Sequence, residues 1–207
     1  MSASMVRLGG ILVFVLIAVG IIGAFVASNK VVAIIFGLIQ TGILMFIFWS
    51  TKGLFNSRNY RTADVAIMGI VVLLALMWAF SLIGGSGIGA IADPKALTAA
   101  LGIVGIISLL VLLAWLVFFI WFSLGAMGFG GVGGGGLWKA IGILYVVALG
   151  LLILTVLLGI IAVAASSQGL AGLMAITGLI GILVFLAAWI CHGIGLITGA
   201  GKMEKAV

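Results

Sequence analysis

Six apolar stretches, each about the length of a membrane span, follow one another along the chain, separated only by short polar or glycine-rich links. None alternates apolar and polar residues with period two, so the runs read as helices and not as the strands of a barrel. A helix of about 20 apolar residues crosses a hydrocarbon core about 30 Å thick, and in lipid every backbone group must bond within its own segment. The pattern predicts spanning helices at about 8–27, 31–50, 64–83, 94–124, 137–164 and 170–199. The expected fold is an all-α integral membrane protein, one polytopic domain over 1–207, with six transmembrane helices in three hairpins.

The polar punctuation supports these boundaries. Ser28-Asn29-Lys30 turns the first helix into the second, and the segment from Thr51 to Arg61 is the most polar loop. Thr62 is a candidate N-cap for the third helix, and Asp64 in its first turn complements the positive end of the helix dipole. Asp93-Pro94 is a strong helix-start signal, because proline at the first helical position gives up an N–H that would be unpaired anyway. The segment 125–136 holds eight glycines in twelve residues and reads as a flexible linker. The first apolar run exceeds the roughly 7–15 residues of a signal-peptide core, and Ala24 to Ala27 offers no clean A-x-A site, so a retained helix is expected. A weak internal repeat pairs Gly69-Ile70 with Gly142-Ile143, and Leu110-Val111 with Leu183-Val184, at an offset of 73 positions.

Composition agrees with the pattern. Of the 207 residues 66% are hydrophobic and only 6% charged, with a mean hydropathy of +1.60, a surface that water would not tolerate. Nine basic residues face three acidic ones. In the six-helix arrangement Arg7, Lys52, Arg58, Arg61, Lys139, Lys202 and Lys205 fall on one side and Lys30 and Lys95 on the other. That bias puts both termini in the cytoplasm and the protein in the plasma membrane, with Trp49, Trp121 and Trp138 near the cytoplasmic helix ends. The basic residues are scattered among short loops, which suits anionic lipid headgroups and excludes nucleic acid as the expected partner. Lys52, Arg58 and Arg61 are the candidate contacts to headgroups or to an acidic partner. Cys191 is the lone cysteine, so no intrachain disulfide is possible.

Little chemistry remains. Cys191-His192 is the one pair of ligand or nucleophile types, but a metal site needs three or four ligands and a nucleophile needs an oriented base. A ligand role for His192, such as haem held between two copies, competes with the simpler reading of a histidine hydrogen-bonded to a neighbouring helix. Gly128 to Gly133 satisfies G-x-G-x-x-G formally, but a membrane helix precedes it and position 153 is an isoleucine where a dinucleotide site wants an acid. Asp64, Asp93 and Glu204 all lie at helix ends or in the tail, leaving no carboxylate within the membrane for ion coupling. No catalytic residue, cofactor or metal is expected. Gln40, Thr41, Ser108, Thr155 and Thr177 are the polar side chains within spans, available for interhelical hydrogen bonds or to line a solute path. Gly20, Gly23, Gly178, Gly181, Gly195 and Gly199 put small residues on helix faces, where they let backbones approach.

An L-G-G-I opening (Leu8 to Ile11), two tightly linked helices and a K-G-L-x-N-x-x-N-Y segment (Lys52 to Tyr60) followed by a further helix resemble domain-of-unknown-function family 996. The likeness covers roughly the first eighty residues and implies a multi-pass membrane protein without assigned activity, so no residue role follows from it. The expected function is a non-enzymatic accessory or structural subunit of a membrane complex, or a self-associating membrane component. The alternative is a passive channel or facilitator for a small neutral or apolar solute. Convergence of the five polar span residues on one cavity would favour the second.

Overall fold

The computed structural model describes residues 1–26, 30–84 and 103–205. They form six α-helices: α1 (Ala3–Val26), α2 (Lys30–Asn56), α3 (Asp64–Gly84), α4 (Ile103–Phe129), α5 (Gly136–Ala164) and α6 (Gln168–Glu204), with a π-helical turn at Gly130–Gly134 between α4 and α5. No strand occurs among the described residues. Each helix packs on its neighbour in sequence, and α1 also packs along α6, so the bundle closes into an up-and-down ring with α2 reaching α6. The seam is latched at one end, where Arg7 Nη2 donates to Glu204 Oε2 at 2.7 Å. The start of α1 and the end of α6 therefore lie at the same end of the bundle.

Five of the helices are long and apolar enough to cross a membrane by length and composition, while α3 offers a shorter apolar stretch, Asp64–Met77. The helix start expected at Asp93-Pro94 lies outside the described residues, as does Lys95. Several boundaries differ from the sequence expectation. α1 begins at Ala3, α2 runs on to Asn56 and α6 to Glu204. The extension of α2 has a packing cause: Ile47, Phe48, Thr51, Leu54 and Phe55 recur at helical spacing and are all buried, so the last two turns carry a core-facing stripe. α3 is entered through bonds from Asp64 N to Arg61 O and from Ile67 N to Ala63 O. Among the described residues Thr62 makes no capping bond.

The largest correction concerns the glycine-rich segment 125–136, expected as a flexible linker. α4 continues through it to Phe129, and Gly130–Gly134 add the π turn. Glycine here buys proximity more than freedom. A Cβ on Gly125 would sit 2.7 Å from the Ala63 Cβ, and one on Gly128 would collide with the Tyr60 hydroxyl. Only Gly135, at φ 78° and ψ 175°, uses a backbone conformation closed to other residues, and there the chain breaks from the π turn into α5.

α2 and α5 both end in Schellman motifs, in which a residue in the left-handed region lets two N–H groups satisfy the last free carbonyls. At α2, Asn59 (φ 56°) occupies that position, with Tyr60 N bonding Phe55 O and Asn59 N bonding Asn56 O. The accompanying apolar contact is Tyr60 on Phe55, ring edge to face at 5.7 Å. At α5, Ser166 (φ 49°) plays the same part, and Ser167, the next residue, accepts from Leu170 N as the N-cap of α6.

Buried side chains gather at the latched end: the start of α1, the end of α2, the start of α3, the end of α4, the start of α5 and the end of α6. Lipid is as apolar as leucine, so burial there reflects close packing and polar pairing between helices and not escape from water.

Candidate functional site

His192, on α6, is completely buried at the centre of the latched end. Its Nε2 lies 2.8 Å from Thr51 Oγ1 on α2, and its Nδ1 lies 2.9 Å from the Tyr145 hydroxyl on α5. The direction of these bonds follows from Thr51. That hydroxyl has one proton and donates it to Ile47 O at 2.9 Å, so toward His192 it accepts. Nε2 therefore carries the proton, and in the neutral ring Nδ1 accepts from Tyr145. A single directed chain, Tyr145 to His192 to Thr51 to Ile47 O, ties α5, α6 and α2 together with every member satisfied.

Aromatic rings enclose the histidine. Trp189 and Phe122 lie nearly parallel to the imidazole, at 13° and 27°, with centroids 5.6 and 5.9 Å away. Trp138, Tyr145 and Phe48 meet it edge-on at 5.4, 5.9 and 6.3 Å. Such edge-to-face and offset arrangements are favoured by the ring quadrupoles, roughly 0.5–1.5 kcal/mol per pair beyond contact area. Glycines make room for the cage: a Cβ on Gly195 would lie 3.2 Å from Trp138 Cε2 and 3.0 Å from Ile141 Cδ1. This explains why Trp138 is turned inward. Trp49 and Trp121 stay exposed as a headgroup belt requires, with Lys52 Nζ 5.5 Å above the Trp49 ring, but Trp138 belongs to the core.

Among the described residues, no polar span side chain hydrogen-bonds to this site or to another of the set. Thr41, Thr155 and Thr177 each donate to the carbonyl four residues earlier in their own helix. Gln40 faces α1, where Cβ atoms on Gly20 and Gly23 would lie 3.8 and 3.5 Å from its Nε2. Thr155 faces α6, 3.3 Å from the Cβ position of Gly178. These are two separate helix interfaces. The side chain of Ser108 lies outside the described residues.

The six candidate packing glycines sort by proximity. Gly199 is the tightest, 2.7 Å from Leu54 Cδ2 at its Cβ position; Gly195, Gly178 and Gly181 follow at 3.0–3.3 Å, and Gly20 and Gly23 leave ordinary spacing. Among the approaches that sequence reasoning missed, two bring backbone against backbone. A Cβ on Gly10 would sit 2.7 Å from Gly193 O, and one on Gly142 would collide with Ser123 O, so α1 meets α6 and α5 meets α4 backbone to backbone.

Among the described residues no three His, Cys, Asp or Glu side chains come together as a metal site would require. Both nitrogens of His192 are engaged, so ligation there would first have to break the chain to Thr51 or Tyr145. Two oxygens at the latched end, Asn56 Oδ1 and Asp64 Oδ1, are buried without a hydrogen-bond partner. Arg58 is exposed at the end of α2 beside a small cleft, Arg61 is exposed in the following loop, and Lys52 is partly covered.

A closed ring of long apolar helices, filled at one end by rings packed about a satisfied histidine, defines a multi-pass α-helical membrane protein. No family model, no curated protein and no solved structure matches the chain. Residue roles are therefore argued from this geometry alone.

Proposed function

We propose that this chain is a non-enzymatic structural or accessory component of a membrane assembly, held in the plasma membrane with both termini in the cytoplasm. The observation that carries the reading is the filled latched end, where the chain from Tyr145 through His192 to Thr51 leaves no hydrogen-bonding group of the imidazole for a substrate. The threonines that would line a solute path return their protons to their own helices, which argues for packing over passage. The partners on this reading are anionic headgroups at Lys52, Arg58 and Arg61, and other membrane subunits or further copies along the apolar outer faces.

Purification from the native membrane in mild detergent, with particle mass and co-purifying chains read by mass spectrometry, tests the proposal. A stoichiometric partner establishes the accessory role, and a homo-oligomer establishes self-association. A monomer that raises solute flux in liposomes overturns both in favour of a facilitator.

A further inference from the structure

Beyond the helix ends, one feature of the latched end joins charge to a cavity. A cleft of about 20 Å³ opens between the end of α2, the π turn and the last turns of α6, and both Arg58 and Lys202 line it, with Gly134, Trp138 and Thr198 among its walls. No carboxylate lines it. The single ion pair among the described residues, Arg7 with Glu204, uses the nearest acid in sequence to Lys202 elsewhere. Thr198 spends its hydroxyl proton on Ile194 O at 2.8 Å, so the side-chain donors left for a ligand's oxygens are the two cations and the indole N–H of Trp138.

Two like charges on one small cleft repel unless an anion joins them. We propose that Arg58 and Lys202 together hold the phosphate of an anionic lipid at the mouth of this cleft. This rests on the headgroup reading above and narrows it to one place. The cleft has space for a water or a single oxygen and not for a sugar or base, so the ligand must present its charge from outside. A guanidinium matches phosphate with paired N–H bonds, and the ammonium adds a point charge. Lipid is the source that fits the surroundings. The outward rings Trp49 and Trp121 mark this as a headgroup-facing end of the bundle, and the cleft opens at the same end.

The test uses the full-length protein in nanodiscs of zwitterionic phospholipid doped with an anionic phospholipid, with retained lipids counted by native mass spectrometry. One tightly held anionic lipid is expected on the wild type. The double variant R58Q/K202Q is expected to bind it about thirty-fold more weakly, roughly five-fold per cation lost. The charge-keeping variant R58K/K202R reports folding and should retain most of the binding. The pair K139Q/K205Q removes the same charge from exposed residues that do not line the cleft and should leave that lipid in place. Equal loss in both charge-removing pairs would overturn the cleft while leaving general headgroup attraction intact. No preference for anionic lipid in the wild type would overturn both. Displacement of the lipid by millimolar inorganic phosphate would overturn the lipid assignment in favour of a free-phosphate site.

Discussion

At the latched end Phe48, Phe55, Phe119, Phe122, Trp138 and Tyr145 are buried, whereas at the opposite end Phe25 and Val163 keep 83% and 77% of their surface exposed. Both ends are strongly apolar, so hydrophobicity does not distinguish them. What differs among the described residues is the crowding at helix crossings, aromatic rings of matching shape and a polar trio that needs partners. In lipid, where apolar contact alone gives no drive to associate, those three features are what define a unique packing. The latched end therefore carries the specificity of the fold, and the other end serves as spanning length facing lipid.

Truncating a core ring should separate the ends most sharply. Trp138→Ala removes a side chain packed on Phe55, Phe129 and His192, and is expected to cost about 3 kcal/mol. Phe25→Ala at the open end should stay within about 0.5 kcal/mol. Unfolding in mixed micelles titrated with a denaturing detergent, followed by circular dichroism, measures both. Equal losses would abolish the distinction between the ends.

Adding a methyl group comes next. Gly142→Ala drives a carbon into Ser123 O and should destabilise by about 1–3 kcal/mol, while Gly37→Ala and Gly150→Ala, which meet open space, should be nearly silent. The same unfolding assay reads the contrast. Removal of hydrogen bonds should weigh less: Thr51→Val or Tyr145→Phe leaves one His192 nitrogen unpartnered and is expected to cost about 0.6–2 kcal/mol. A double-mutant cycle on the two should show coupling through the imidazole; strict additivity would mean that the bonds act separately. Smallest of all, Arg7→Gln removes an ion pair whose side chains are 45% and 46% exposed, for about 0.2–1 kcal/mol, fading with added salt. A larger effect would make the latch, and not the ring cage, the principal fastening of the ring.

Much of the architecture was legible along the chain because apolar runs of spanning length have few alternatives. The order of the helices, the break between α5 and α6 and the first-turn position of Asp64 follow from local chemistry, while the turn expected at Ser28-Asn29-Lys30 lies largely outside the described residues. Three features were hidden for physical reasons. The last turns of α2 look polar in composition, and only the spacing of Phe48, Thr51 and Phe55 reveals a core face. The glycines of 125–136 signal flexibility in isolation but become close-approach surface once Ala63 and Tyr60 lie opposite, information that resides in distant sequence. Tyr145 gave no signal of its own, since an aromatic residue in an apolar helix is usually filler. Its pairing with His192 exists because the ring brings α5 and α6 together. Asn59 was the readable clue that was missed: asparagine tolerates a positive φ and often ends a helix.

The chain of hydrogen bonds at the centre also limits what can travel through this end of the protein. Proton hopping needs every link to accept on one side and release on the other. His192 and Thr51 each meet that condition, with Tyr145 as the donor at the head, but the last acceptor is the Ile47 amide carbonyl, which has nothing to release. The line of donors is a cul-de-sac, closed by backbone at its far end.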